Sequence, residues 1–170
     1  MRRHGTNIVL IGMPGAGKST VGVILAKALK KTFVDTDITI QEETGRLLQE
    51  IIDADGPDAF LATEEKTILS RQFENAVLAT GGSVVFSRKA MRHLKSEGVV
   101  VYLKISFQEM EKRLKNITTR GIVLVAGQSL AGMYAQRAPL YEKYADITIT
   151  CSDTDFEAVV AKVIDRLQAV

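Results

Sequence analysis

Five short apolar runs, rich in β-branched residues, punctuate the chain, and between them apolar positions return every three or four residues. The runs are Asn7-Ile8-Val9-Leu10-Ile11, Thr32-Phe33-Val34, Ala76-Val77-Leu78-Ala79, Gly98-Val99-Val100-Val101-Tyr102-Leu103 and Ile147-Thr148-Ile149-Thr150, each of strand length. After the first, Val21, Ile24, Leu25, Ala28 and Leu29 follow a helical spacing, which predicts a helix over 19–29. A short helix is expected over 38–43, stopping at Gly45, and another in which Leu47, Leu48, Ile51 and Ile52 share a face. Pro57 suits the first turn of a longer helix running through Phe60, Glu64, Ile68 and Phe73. Further helices are expected over 88–97, after a Ser106 cap with Glu109 and Arg113 as an i, i+4 pair, and over 129–137. Pro139 is read as opening another short turn, and Asp153 or Asp155 as capping a last helix to Val170. The segment 116–128 has no clear period and two glycines, and reads as a mobile lid.

Strands alternating with helices predict an α/β fold in three layers, a five-stranded parallel sheet covered on both faces, with right-handed crossovers. Ligands in such sheets bind beyond the carboxyl ends of the strands. Three segments reach those ends, 12–19, 35–37 and 81–82, so they converge on one crevice.

Bulk properties narrow the partners. The 170 residues suit a single domain over 1–170, and 46% hydrophobic and 25% charged residues are ordinary for a soluble globule. Twenty-two basic and 20 acidic residues leave a formal charge of +2, too balanced for nucleic acid or membrane to be the main partner. Arg2, Arg3 and His4 make only a short basic tip. No apolar run approaches the ~20 residues of a membrane span. The first apolar run is a strand rather than a signal-peptide core, so the expected location is cytoplasmic. Cys151, the single cysteine, permits no internal disulfide and no cysteine metal site, and reads as a packing residue at a strand end.

The chemistry starts at Gly12-Met13-Pro14-Gly15-Ala16-Gly17-Lys18-Ser19-Thr20, a G-x-x-x-x-G-K-S loop between a strand and a helix. Glycines let backbone N–H groups wrap a phosphate, and the helix N-terminus adds donors and partial positive charge. Lys18 supplies a full charge to the β- and γ-phosphates and the Ser19 hydroxyl a ligand for Mg²⁺, so ATP with Mg²⁺ is the expected cofactor.

The acceptor is addressed by other segments. Asp35 and Asp37 lie two apart at a strand end, so both can face the crevice; Asp37 could also cap the following helix. Gly81-Gly82 after a buried strand allows close backbone approach to a small ligand. Arg120 in the lid and Arg137 before the Pro139 turn can close over phosphates, though a single arginine is more often a surface charge.

In these residues the chain resembles the shikimate kinases, within the nucleoside-monophosphate-kinase-like branch of P-loop proteins. The matching segments run in order: 12–19, Phe33-Val34-Asp35-Thr36-Asp37, Glu50-Ile51-Ile52, Phe60 with Glu64, Ala79-Thr80-Gly81-Gly82, Arg120, and Arg137-Ala138-Pro139-Leu140-Tyr141. The resemblance implies transfer of the ATP γ-phosphoryl group to a hydroxyl of shikimate by a monomer with a lid around Arg120. It implies that Asp37, Gly81, Gly82 and Arg137 hold the acceptor, and that Lys18 and Arg120 hold the phosphoryl group. It further implies that Asp35 lies in the metal's water shell and that Arg113 lies against the adenine.

Three positions depart from the family pattern. Leu61 stands where members carry an arginine that grips the acceptor carboxylate, Ser83 replaces a third glycine, and Gly121 replaces a lid proline. Losing one charge-assisted partner in a dry site costs ~2–4 kcal/mol. A same-family kinase for a gluconate-like or nucleotide-like acceptor therefore stays open beside shikimate, as does a nucleotide-binding protein with poor transferase activity.

Overall fold

A computed structural model describes residues 7–115, 122–124, 126–151 and 155–170. Five strands, β1 (Asn7–Ile11), β2 (Thr32–Asp35), β3 (Ala76–Ala79), β4 (Gly98–Lys104) and β5 (Ile147–Thr150), form one sheet in the order β2-β3-β1-β4-β5. All four pairings are parallel. The burial of each strand follows its place. β1 and β3 are buried along their whole length, whereas β2 and β5 at the edges expose part of theirs. Parallel strands covered on both faces need continuous apolar sequence, which is why the central runs lack alternation.

The helices are α1 (Lys18–Leu29), α2 (Thr36–Thr44), α3 (Leu48–Asp55), α4 (Pro57–Leu69), α5 (Arg88–Glu97), α6 (Phe107–Lys115), α7 (Leu130–Tyr144) and α8 (Phe156–Gln168). Several start as expected. Ser87, Ser129 and Asp155 accept from backbone N–H groups of the first turns of α5, α7 and α8, and the Ser106 hydroxyl accepts from Glu109 N at 3.2 Å. Glu109 and Arg113 pair at 2.8 Å along α6. Asp153, the alternative cap of α8, and the lid residues Arg120 and Gly121 lie outside the described residues.

Three expectations are corrected. α4 ends at Leu69 rather than reaching Phe73, because the connection to β3 is pinned elsewhere: Asn7 Nδ2 donates to the Phe73 carbonyl at 2.6 Å. Leu47 is outside α3 and 59% exposed, so the buried face is Leu48, Ile51 and Ile52 alone. Pro139 does not open a separate turn but sits inside α7. The hydrogen bond that a proline forfeits in a helix interior is outweighed here by burial of Met133, Arg137 and Tyr141, which come back every four residues on one face.

The main core lies between the sheet and its covering helices. A second, smaller apolar cluster of Ile40, Leu48, Ile51, Ile52, Phe60 and Val123 holds α2, α3 and α4 together, with Leu61 packed against it. No helix among the described residues is long and apolar enough to cross a membrane.

Candidate active site

The loop after β1 is shaped by close packing. A Cβ at Gly12 would lie 2.6 Å from the Leu103 carbonyl oxygen, and one at Gly17 would lie 2.6 Å from the Phe156 ring. Gly17 precedes α1 with φ 91° and no side-chain cap, leaving first-turn N–H groups for a phosphate. Lys18 Nζ donates at 2.8 Å to each of the Gly12 and Met13 carbonyls, so the ammonium is held over the loop. Gly15 has φ 83°, and behind it Arg113 donates from Nη1 to the Gly15 carbonyl at 2.8 Å. Arg113 is thereby fixed against the nucleotide loop rather than left as a surface charge.

At the end of β2 the two aspartates divide the work differently from the sequence expectation. Asp35, not Asp37, caps α2: its Oδ1 accepts from Asp37 N at 3.0 Å and Ile38 N at 3.3 Å. Asp35 has the extended backbone a cap requires, whereas Asp37 is already helical. The other carboxylate oxygen of Asp35 accepts from Ser19 Oγ at 2.7 Å. A hydroxyl and a carboxylate so placed suit a hard cation that keeps most of its ligands as water and phosphate oxygen. No group of three or more metal-ligating side chains occurs among the described residues.

Beside the nucleotide loop opens a cleft of about 250 Å³, lined by Pro14, Lys18, Ser19, Thr20, Asp37, Gly81, Gly82, Ser83 and Arg137 among others. Of the expected residues, Pro14, Gly17, Lys18, Ser19, Thr20, Asp37, Gly81, Gly82 and Arg137 thus meet in one place, while Gly12, Gly15 and Ala16 are not on its lining. Gly81 is required by crowding: a Cβ there would lie 2.6 Å from Glu64 Oε2 and 2.8 Å from Asp37 Oδ1. At Gly82 it would lie 3.1 Å from Arg137 Nη1.

Arg137 is no surface charge. It is 2% exposed, donates from Nη2 to the Val123 carbonyl at 2.5 Å, and lies 5.3 Å from the centre of the Phe86 ring. Its Nε has no hydrogen-bond partner among the described residues. A buried guanidinium with a spare donor beside a cleft is suited to an anionic group of a ligand.

Glu64, Ser83, Gln41, Leu48, Phe60, Ile122 and Val123 also surround the cleft or its carboxylates, and residue-type arguments did not assign them to the site. Glu64 is 2% exposed. Its Oε1 accepts from Ser83 Oγ at 2.9 Å, and Oε2 has no partner among the described residues. Burial, and next the negative charge of Asp37, push its carboxyl up to about 8. A glutamate three residues after the departing Leu61 was the available signal.

Comparison with known proteins agrees with this geometry. A family model described as shikimate kinase matches residues 14–168. The chain is 36% identical over 165 residues to a shikimate kinase of Haemophilus influenzae, covering 95% of this chain and 92% of that protein. It is also 36% identical over 167 residues to shikimate kinase 1 of Citrobacter koseri, covering 96% of each. Among solved structures, the shikimate kinase of Acinetobacter baumannii in complex with shikimate superposes with a TM-score of 0.88 at 30% identity, covering 99% of this chain and 95% of that one. The shikimate kinase of Aquifex aeolicus does so with a TM-score of 0.79 at 28% identity, covering 96% of each chain.

Proposed function

The chain belongs to the shikimate kinase family, and from that premise we propose that it transfers the γ-phosphoryl group of ATP to a hydroxyl of shikimate. The observation that carries this reading is the meeting of a phosphate loop and a buried arginine across one cleft, with Asp37 on its lining. ATP supplies the phosphoryl group, and Mg²⁺ would be held by Ser19 and, through water, by Asp35.

Gly12, Pro14, Gly15, Ala16, Gly17, Ser19 and Thr20 form the phosphate cradle, Arg113 braces it, and Lys18 neutralises charge on the transferring group. The acceptor lies against Gly81 and Gly82 with its carboxylate toward Arg137 and its hydroxyl toward Asp37. A bond forms between the hydroxyl oxygen and the γ-phosphorus as the bond to the β–γ bridging oxygen breaks, releasing ADP. Asp37 accepts the hydrogen bond of the attacking hydroxyl, and a loose transition state asks little base strength of it. Arg120, outside the described residues, would close over the phosphoryl group from the lid, about 116–128.

We read the chain as one domain over 1–170 that works as a cytoplasmic monomer; light scattering on the purified protein tests the oligomeric state. Leu61 favours a second reading, an acceptor whose carboxylate is absent or displaced. ADP release measured with shikimate, gluconate and nucleoside monophosphates separates the two. Turnover with shikimate alone supports the first reading, and turnover with another compound but not shikimate overturns it.

A further inference from the structure

Glu64 stands where the cleft meets the interior. Its Oε1 is tied to the Ser83 hydroxyl at 2.9 Å, and its Oε2 has no partner although it is completely enclosed. Glu64 Oε2 and Asp37 Oδ1 both lie within 2.8 Å of the point a Gly81 Cβ would occupy, so the two carboxyl groups approach each other across a single glycine. The other charges acting on Glu64 are Arg137 on α7 and Lys18 on α1, with the Tyr141 hydroxyl on α7 also near. Lys18 is engaged with the carbonyls of its own loop, at 2.8 Å to Gly12 and 2.8 Å to Met13. Position 61, one turn before Glu64, is a leucine packed on apolar residues and brings no counter-charge.

We propose that Glu64 is a specificity-determining residue of the acceptor site that works as a neutral carboxyl, anchored by Ser83, so that Arg137 keeps its positive charge for an anionic acceptor. The inference rests on the kinase reading given above. An ionised Glu64 would set a second negative charge beside Asp37 and cancel the guanidinium of Arg137, the buried arginine among the described residues. A neutral Glu64 leaves that guanidinium uncompensated. The site therefore stays cationic without a second arginine. The same desolvation that discourages ionisation is supplied by the fold itself, since α4 and the Gly81-Gly82 turn close over the side chain. Removing the proton at high pH then weakens acceptor binding while leaving the nucleotide side alone.

Two measurements on the whole protein test this. The first is the infrared carbonyl band of a protonated carboxyl in the ligand-free protein. It should be present at pH 7, fade as pH passes about 8, and be missing in Glu64→Gln. The second is the KM for shikimate against pH. In the wild type it should rise by up to about 30-fold between pH 7 and 9.5, the ratio a single ionisation near 8 gives, with the KM for ATP flat. In Glu64→Gln the rise should vanish. Ser83→Ala should move the break to higher pH, because the hydroxyl donates to Oε1 and favours the charged form. That variant decides if Glu64→Gln does not fold.

A missing band at pH 7 overturns the inference. So does a shikimate KM that changes less than about twofold, or a Glu64→Gln protein whose KM at pH 7 is tenfold higher or more. If the band titrates near pH 8 but shikimate is not turned over at any pH, the acceptor reading fails and the protonated Glu64 stands.

Discussion

Tyr141 donates from its hydroxyl to the Gly82 carbonyl at 2.6 Å, tying the helix that carries Arg137 to the turn that floors the acceptor cleft. The bond sets the distance between two sides of the cleft, and the ring stacks on Tyr102 with centroids 5.2 Å apart. Tyr141→Phe keeps the stacking and deletes the bond. It should cost about 1–2 kcal/mol in urea denaturation. The KM for shikimate should rise severalfold while that for ATP is constant.

Lys18→Ala should reduce turnover by about 100- to 1000-fold, the range seen when a preorganised electrostatic donor is removed. The ammonium contacts loop carbonyls rather than the core, so the melting temperature should change little. Near-normal turnover would dismiss the phosphate-loop assignment.

Asp37→Asn should lower kcat by about 100-fold or more, the scale of a lost proton-accepting group. ATP affinity should be little altered, because the carboxylate proposed for the metal side is Asp35, bonded to Ser19 at 2.7 Å. Equal damage to ATP affinity would move Asp37 to the metal.

Leu61→Arg restores the family residue beside Glu64. The two would pair along the helix and draw Glu64 toward its ionised form, so the arginine adds little net charge. The expected gain in shikimate KM is therefore about tenfold, roughly 1.4 kcal/mol. An unchanged KM would mean that another group already fills that role.

Stability should depend on pH through Glu64. The folded protein holds this proton up to about 8, against 4.5 for an ordinary glutamate. The folded state thus binds more protons between those values, and its contribution is fully present below 4.5, falls as pH rises, and is lost above about 8. The total is on the order of 5 kcal/mol. Glu64→Gln should remove this slope from a series of denaturation curves between pH 5 and 9.

Much of the fold is legible because the central strands are buried on both faces and so read as unbroken apolar runs, as at 7–11 and 76–79. The phosphate loop is legible because its glycines answer to contacts every such loop makes. Arg137 shows where that stops. Its residue type fits a surface or a lid, and only the Val123 carbonyl, the Phe86 ring and Gly82 closing around it place it, buried, beside the cleft. The exchange of Asp35 and Asp37 as cap had a similar cause. Both suit the role by type, and the start of α2 one residue after Asp35 decides it. Pro139 misleads for the opposite reason, since local chemistry argues for a break that packing on both sides overrides.

The small apolar cluster under α2, α3 and α4 gives these helices a foundation of their own. Ile40, Leu48, Ile51, Ile52, Phe60 and Val123 pack with one another apart from the sheet's own interior. Leu61 leans on this small foundation, whereas β1 and the start of the phosphate loop are held by the larger interior. A side chain exchanged at position 61 therefore presses on the former and not on the latter.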